Sequence, residues 1–108
     1  MNNQIIELNE ANFEQEVLHA GQPVLALFWA CWSGSCKAMG PVLESVAGNG
    51  AVPVKLGRVD VESQERLAEQ YGVRAVPTVL IFNEGGLHDL IVGRATAENL
   101  REKLERLR

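Results

Sequence analysis

The stretch Phe28-Trp29-Ala30-Cys31-Trp32-Ser33-Gly34-Ser35-Cys36-Lys37-Ala38-Met39-Gly40-Pro41 changes its physical character twice. It opens as the end of a continuous apolar run, residues 24–30, bounded by turn-forming residues. Such a run reads as a strand buried on both faces. Small and polar residues from Trp32 to Ser35 predict a sharp turn. From about Gly34 to Ala47 the pattern predicts a helix with Pro41 inside it. Proline lacks an N–H and its ring crowds the preceding turn, so a kink is expected there.

Before this stretch, Ile5, Ile6 and Leu8 predict a short strand. Asn9 offers a helix N-cap, Phe13 and Val17 share one face four residues apart, and Gly21-Gln22-Pro23 ends that helix. After it, Gly48-Asn49-Gly50 closes the kinked helix. Val52, Val54, Leu56, Val59 and Val61 predict a second buried strand, with Gly57 as a weak spot or bulge. Ser63 is a candidate cap for a helix carrying Leu67 and Tyr71 on one face and ending at Gly72. Strand 78–82, a hairpin loop Asn83-Glu84-Gly85-Gly86 and strand 87–92 come next. Thr96 caps a last helix striped by Leu100, Leu104 and Leu107. The order β-α-β-α-β-α-β-β-α predicts an α/β fold: a central mixed β-sheet flanked by helices, parallel where helices cross over and antiparallel at the hairpin.

A chain of 108 residues with 46% hydrophobic composition predicts one domain, 1–108. That length buries roughly two-thirds of the unfolded surface, enough for a core without metal or disulfide staples. A net charge of -4 and a pI near 5.1 give no basic field for nucleic acid or anionic lipid. No apolar run approaches the ~20 residues of a membrane span. The start Met1-Asn2-Asn3-Gln4 lacks the pattern of a leader, so a cytoplasmic monomer is expected, with a trimmed secreted form left open. Two cysteines are too few for a disulfide framework. With His19 and His88 in distant segments, they make no four-ligand metal set, and no cofactor is expected.

Four stretches together resemble the thioredoxin family. Phe28-Trp29-Ala30 precedes Trp32; Cys36-Lys37 and Pro41 come after it. Arg58-Val59-Asp60-Val61-Glu62 is similar to the family's strand-ending Lys-Val-Asp-Val-Asp. Tyr71-Gly72-Val73-Arg74-Ala75-Val76-Pro77-Thr78 resembles the segment that carries its cis-proline, and Gly93 matches its groove glycine. The resemblance covers essentially the whole chain. It implies a thioredoxin fold, thiol-disulfide chemistry on protein clients, a thioredoxin-reductase-type partner if the chain is redox active, and a peptide groove lined by Trp32, Gly34, Val76, Pro77 and Gly93. Arg94, near the groove rim, would favour acidic clients or simply be solvated.

Three positions depart from the family. Ser33 stands at its nucleophilic cysteine, Ser35 at the intervening proline, and Leu27 at its buried Asp. Disulfide exchange needs a thiolate to attack and a second thiol to resolve. The Ser33 hydroxyl stays protonated at neutral pH, and serine is a preferred N-cap. Cys36 is the retained resolving-type thiol; with Leu27 in the Asp position, no buried carboxylate is at hand to take its proton. Cys31 is an addition, at the end of a strand, and a direct bridge to Cys36 requires distortion because the Cα atoms must come within about 7 Å. With no buried Asp to pair with, Arg58 is expected to reach solvent or Asp60.

These residues leave three functional readings open. One is a client-binding member of the family with little or no dithiol reductase activity. A second is a working protein-disulfide oxidoreductase using Cys36 with Cys31 or an external thiol. The third is an active member in which Ser33 replaces a native cysteine by design.

Overall fold

A computed structural model describes residues 5–49 and 53–107 of the chain. In order they form strand β1 (Ile5–Leu8), a π-helical turn (Glu14–Leu18), β2 (Val24–Trp29), helix α1 (Gly34–Asn49), β3 (Lys55–Asp60), α2 (Glu65–Gln70), β4 (Thr78–Asn83), β5 (Gly86–Val92) and α3 (Ala97–Glu105). The sheet order is β1-β3-β2-β4-β5. Strands β1, β3 and β2 run parallel, while β4 is antiparallel to both β2 and β5. This is the mixed sheet that the sequence predicts.

Strand β2 is central because both of its faces are apolar. Val24, Ala26 and Phe28 join a core with Phe13, Leu67 and Phe82 under the π-turn and α2. Leu25 and Leu27 join a second core with Met39, Leu43 and Leu100 under α1 and α3. Helix α1 stays continuous through Pro41. A proline inside a helix costs about 3 kcal/mol. Met39, Leu43 and Val46 are fully buried on one face of α1. At about 1.5–3 kcal/mol each, they outweigh that cost.

Several local expectations are corrected. Asn9 does cap: its side chain accepts from the Asn12 N–H at 2.9 Å, and Asn12 Oδ1 accepts from the Asn9 N–H at 2.8 Å. The element it leads into, however, is a π-turn, closed by His19 N–H donating to the Glu14 carbonyl at 2.9 Å. Gly57 makes no bulge: it pairs in register with Ile6 and Ala26. It is needed for space, because a Cβ there would lie 2.5 Å from Leu8 Cδ1. Ser63 does not cap α2; its hydroxyl donates to the Asp60 carbonyl at 3.4 Å, and Gln64 takes the cap position without a side-chain bond. Helix α1 runs through Gly48 to Asn49, past the predicted end at Ala47. Gly50 and Val52 lie outside the described residues.

The other termini obey their signals. Gly72 stops α2 with φ +69°, and Thr96 Oγ1 accepts from the Asn99 N–H at 3.0 Å. The hairpin loop is tighter than predicted. Only Glu84 and Gly85 lie between the strands, both with positive φ (52° and 81°). Two such residues make the turn whose twist matches a hairpin.

Candidate functional site

The strand-to-helix corner is built by main-chain bonds. The Ser33 N–H donates to the Ala30 carbonyl at 3.1 Å, and the Cys36 N–H to the Ser33 carbonyl at 3.2 Å. The Cys36 N–H is therefore met by the Ser33 carbonyl and not by its hydroxyl. Trp32 stands out from the corner at 68% exposure, while Ser33 is half-buried and Gly34 and Ser35 are exposed. Cys36 is buried at 5% exposure, and its spacing of three and seven residues puts it on the same face of α1 as the buried Met39 and Leu43.

On the segment before β4, the Val76–Pro77 peptide bond is cis. Thr78 Oγ1 donates to the Ala75 carbonyl at 2.7 Å and so spans the proline. The Gly93 N–H donates to the Pro77 carbonyl at 2.8 Å, and Gly93 has φ +89°, a conformation that favours glycine. The structure thus brings Val76, Pro77 and Gly93 together across the β4–β5 pair. Val92, beside Gly93, is 61% exposed.

The two cysteines are both free. Cys31 is exposed and its thiol donates to Glu62 Oε1 at 3.5 Å. That hydrogen bond, then the Glu62 charge, pushes the Cys31 thiol above its ordinary value. A carboxylate partner favours the neutral form, so Cys31 is held away from the thiolate that exchange chemistry needs. Of the two placements expected for Arg58 the structure shows the first: its side chain reaches solvent and does not approach Asp60. Its Nε donates to Glu7 Oε1, and its guanidinium lies 5.2 Å from the centroid of the Trp29 ring. Asp60 Oδ1 instead accepts from the Glu62 N–H at 2.9 Å.

Between the ends of β1, β2 and β3 and the first turns of α1 lies a cavity of about 190 Å³. Cys31 and Cys36 both line it, with Leu27, Trp29, Lys37 and Arg58 among their neighbours. Glu7 and Glu62 were not singled out from the sequence, yet each is tied to a site residue. The signal is register: Glu7 pairs with Arg58 and Trp29 with Asp60, so the residues two beyond that pair, Cys31 and Glu62, come out side by side. Among the described residues there is no cluster of acidic, histidine or cysteine side chains able to hold a metal ion, and no helix is long and apolar enough to cross a membrane.

The thioredoxin family profile matches residues 4–106. The chain is 35% identical over 100 residues to thioredoxin 1 of Nostoc sp., covering 93% of this chain and 94% of that one. It is 34% identical over 105 residues to thioredoxin of Pseudomonas aeruginosa, covering 97% of each. It is 33% identical over 103 residues to chloroplastic thioredoxin M4 of Arabidopsis thaliana, covering 95% of this chain and 53% of that one.

Proposed function

We propose, for a chain that belongs to the thioredoxin family, a groove that holds extended protein segments and little or no dithiol reductase activity of its own. The observation that carries this reading is the placement of the thiols. Cys36, in the first turn of α1, is buried at 5% exposure, and the exposed thiol, Cys31, is bound to a carboxylate. The family's chemistry starts from a thiolate at the helix N-terminus, where the dipole lowers a cysteine's pKa; thioredoxin is the standard example. Ser33 offers a hydroxyl at that place. Even if it attacked, an oxygen–sulfur adduct would be a poor intermediate. Without the first thiol, a reductase partner has no disulfide at this corner to reduce.

The client surface comprises Trp32, Gly34, Val76, Pro77 and Gly93. An extended segment lies beside Pro77 and gains main-chain hydrogen bonds there, while the exposed Trp32 and Val92 add apolar contact. In this reading the protein acts as a cytoplasmic monomer, one domain over 1–108, on protein partners and without a cofactor. A disulfide-reductase assay tests it with the unmodified chain and with Ser33→Cys. The unmodified chain is expected to be inactive, and turnover by it overturns the reading. Full activity from Ser33→Cys alone means that only the nucleophile had been replaced, whereas failure to restore it implicates Leu27 and Ser35. Binding of an unfolded client, monitored by anisotropy, should survive Cys36→Ser and weaken on Trp32→Ala.

One observation favours a second reading, the working oxidoreductase that pairs Cys36 with Cys31: both thiols line a single cavity. Mild oxidation and then mass spectrometry separate the two. A monomer lighter by two hydrogens supports the pair, and unchanged mass removes it.

A further inference from the structure

Strand β5 closes one end of the sheet order β1-β3-β2-β4-β5, so its outer edge has no strand beside it among the described residues. The phase of its ladder says which groups face outward. The Gly93 N–H donates to the Pro77 carbonyl, so Gly93, Ile91 and Asp89 point their main-chain groups at β4. Leu90 and Val92 lie between them and point theirs away from the sheet. The side chains along this edge are apolar as well. Among the described residues, three of the four exposed large hydrophobics, Leu87, Leu90 and Val92, belong to β5. An edge with outward main-chain groups and an apolar row is a template for another strand. One group on it is already taken. The outward Leu90 N–H donates to Asp89 Oδ1 at 2.8 Å, and Asp89 Oδ2 is fixed by Lys103 Nζ of α3 at 2.7 Å. The Asp89 carboxylate therefore lies across the donor that an added strand would use.

We propose that β5 pairs antiparallel with β5 of a second copy of this chain, about a two-fold axis at Leu90, and that Asp89 is the latch that keeps the chain a monomer until it swings aside. Centred there, the Leu90 N–H of each copy donates to the Leu90 carbonyl of the other, and the two Leu90 side chains meet on one face. Two five-stranded sheets become one. An edge that meets itself in this way is the isologous contact of a two-fold dimer. Charge selects a second copy over an unrelated strand. His88 is skipped in the β4–β5 register, where Asp89 pairs with Ile81 and Leu87 with Phe82, so the new pairing ends near it. Just past it, the exposed Glu84 of the hairpin turn comes alongside the exposed Arg94 of the other copy, and the symmetry repeats the contact. Neither side chain has an ion pair within its own chain among the described residues. Val92 also belongs to the proposed client surface, so a paired copy competes with a client there. The pairing itself does not rest on that reading and is measured without any client.

Sedimentation equilibrium of the full chain, over a dilution series and under reductant, tests this. The unmodified chain is expected to be a monomer. Asp89→Ala frees two Leu90 donors per dimer and should lower the dimer dissociation constant at least about tenfold. Adding Leu90→Lys to Asp89→Ala should return the monomer, since a lysine on an edge opposes pairing. Glu84→Lys in the Asp89→Ala chain should weaken the dimer about threefold or more, and Arg94→Glu added to it should restore the affinity. Urea midpoints show that each variant folds. Asp89→Val, with a strand-forming side chain, takes the place of Asp89→Ala if the midpoint of the latter falls. A latch-free chain that associates no more tightly than the parent overturns the proposal. So does association that runs on past the dimer, a dimer indifferent to Leu90→Lys, or a loss at Glu84→Lys that Arg94→Glu leaves unrescued.

Discussion

Glu62 governs the chemistry of Cys31 through one hydrogen bond of 3.5 Å. The carboxylate stabilises the protonated thiol, so removing its charge must lower the Cys31 pKa from its raised position. Glu62→Gln should therefore speed alkylation of Cys31 by iodoacetamide at pH values just below the ordinary thiol range. A rate profile against pH checks this, with the midpoint moving to lower pH; an unmoved midpoint removes Glu62 as the cause. The sequence alone made Ser33, Cys36 and Trp32 legible, because their chemistry depends on residue type and on the neighbouring turn. It did not make the Cys31–Glu62 or Arg58–Glu7 pairs legible. These join residues 31 and 51 positions apart, and only the strand register puts them together.

Elements join through a few replaceable contacts, and their strengths can be ranked. Lys103 Nζ on α3 lies 2.7 Å from Asp89 Oδ2 on β5. That bond, and after it the Leu90 N–H, holds the Asp89 carboxyl below its ordinary value. Because the folded value is the lower one, the stabilisation is complete above the unfolded carboxylate range and is lost as pH falls through the folded value. Both side chains are partly exposed, so Lys103→Met should cost only about 0.5 kcal/mol at neutral pH. Urea titrations of the two proteins should converge once the pH falls below the depressed Asp89 value. Thr96→Ala removes the cap of α3 and should cost about 1 kcal/mol in the same assay. Gly57→Ala drives a Cβ into buried Leu8 and should cost about 1–3 kcal/mol, and with Leu8→Ala added the double variant should lose less than the sum of the two single losses. Gly57 also marks a limit of element-scale reading: a glycine in a strand signals either a bulge or a close approach, and only the packing of β1 on β3 selects the second.

Across the whole molecule, two apolar layers share the strands between them, so neither can loosen without exposing β2 and β4. Leu100, fully buried in the layer under α1 and α3, should lose about 2–4 kcal/mol on mutation to Ala. Near- and far-ultraviolet circular dichroism should still report a single shared urea transition, shifted to lower midpoint. The layering was legible because β2 reads as apolar on both faces; the pairing order and the cavity between β1, β3 and α1 were not, since they arise where three distant segments meet. One consequence of this arrangement is optical. The chain holds two tryptophans: Trp32 protrudes at 68% exposure, whereas Trp29 is partly enclosed under the Arg58 guanidinium. Their fluorescence therefore divides into a red component from a hydrated indole and a bluer one from a sheltered indole. A client laid on the corner shifts the first to shorter wavelength and leaves the second in place. The chain carries its own two-channel emission reporter, one indole at the exposed corner and one in the shelter of β3.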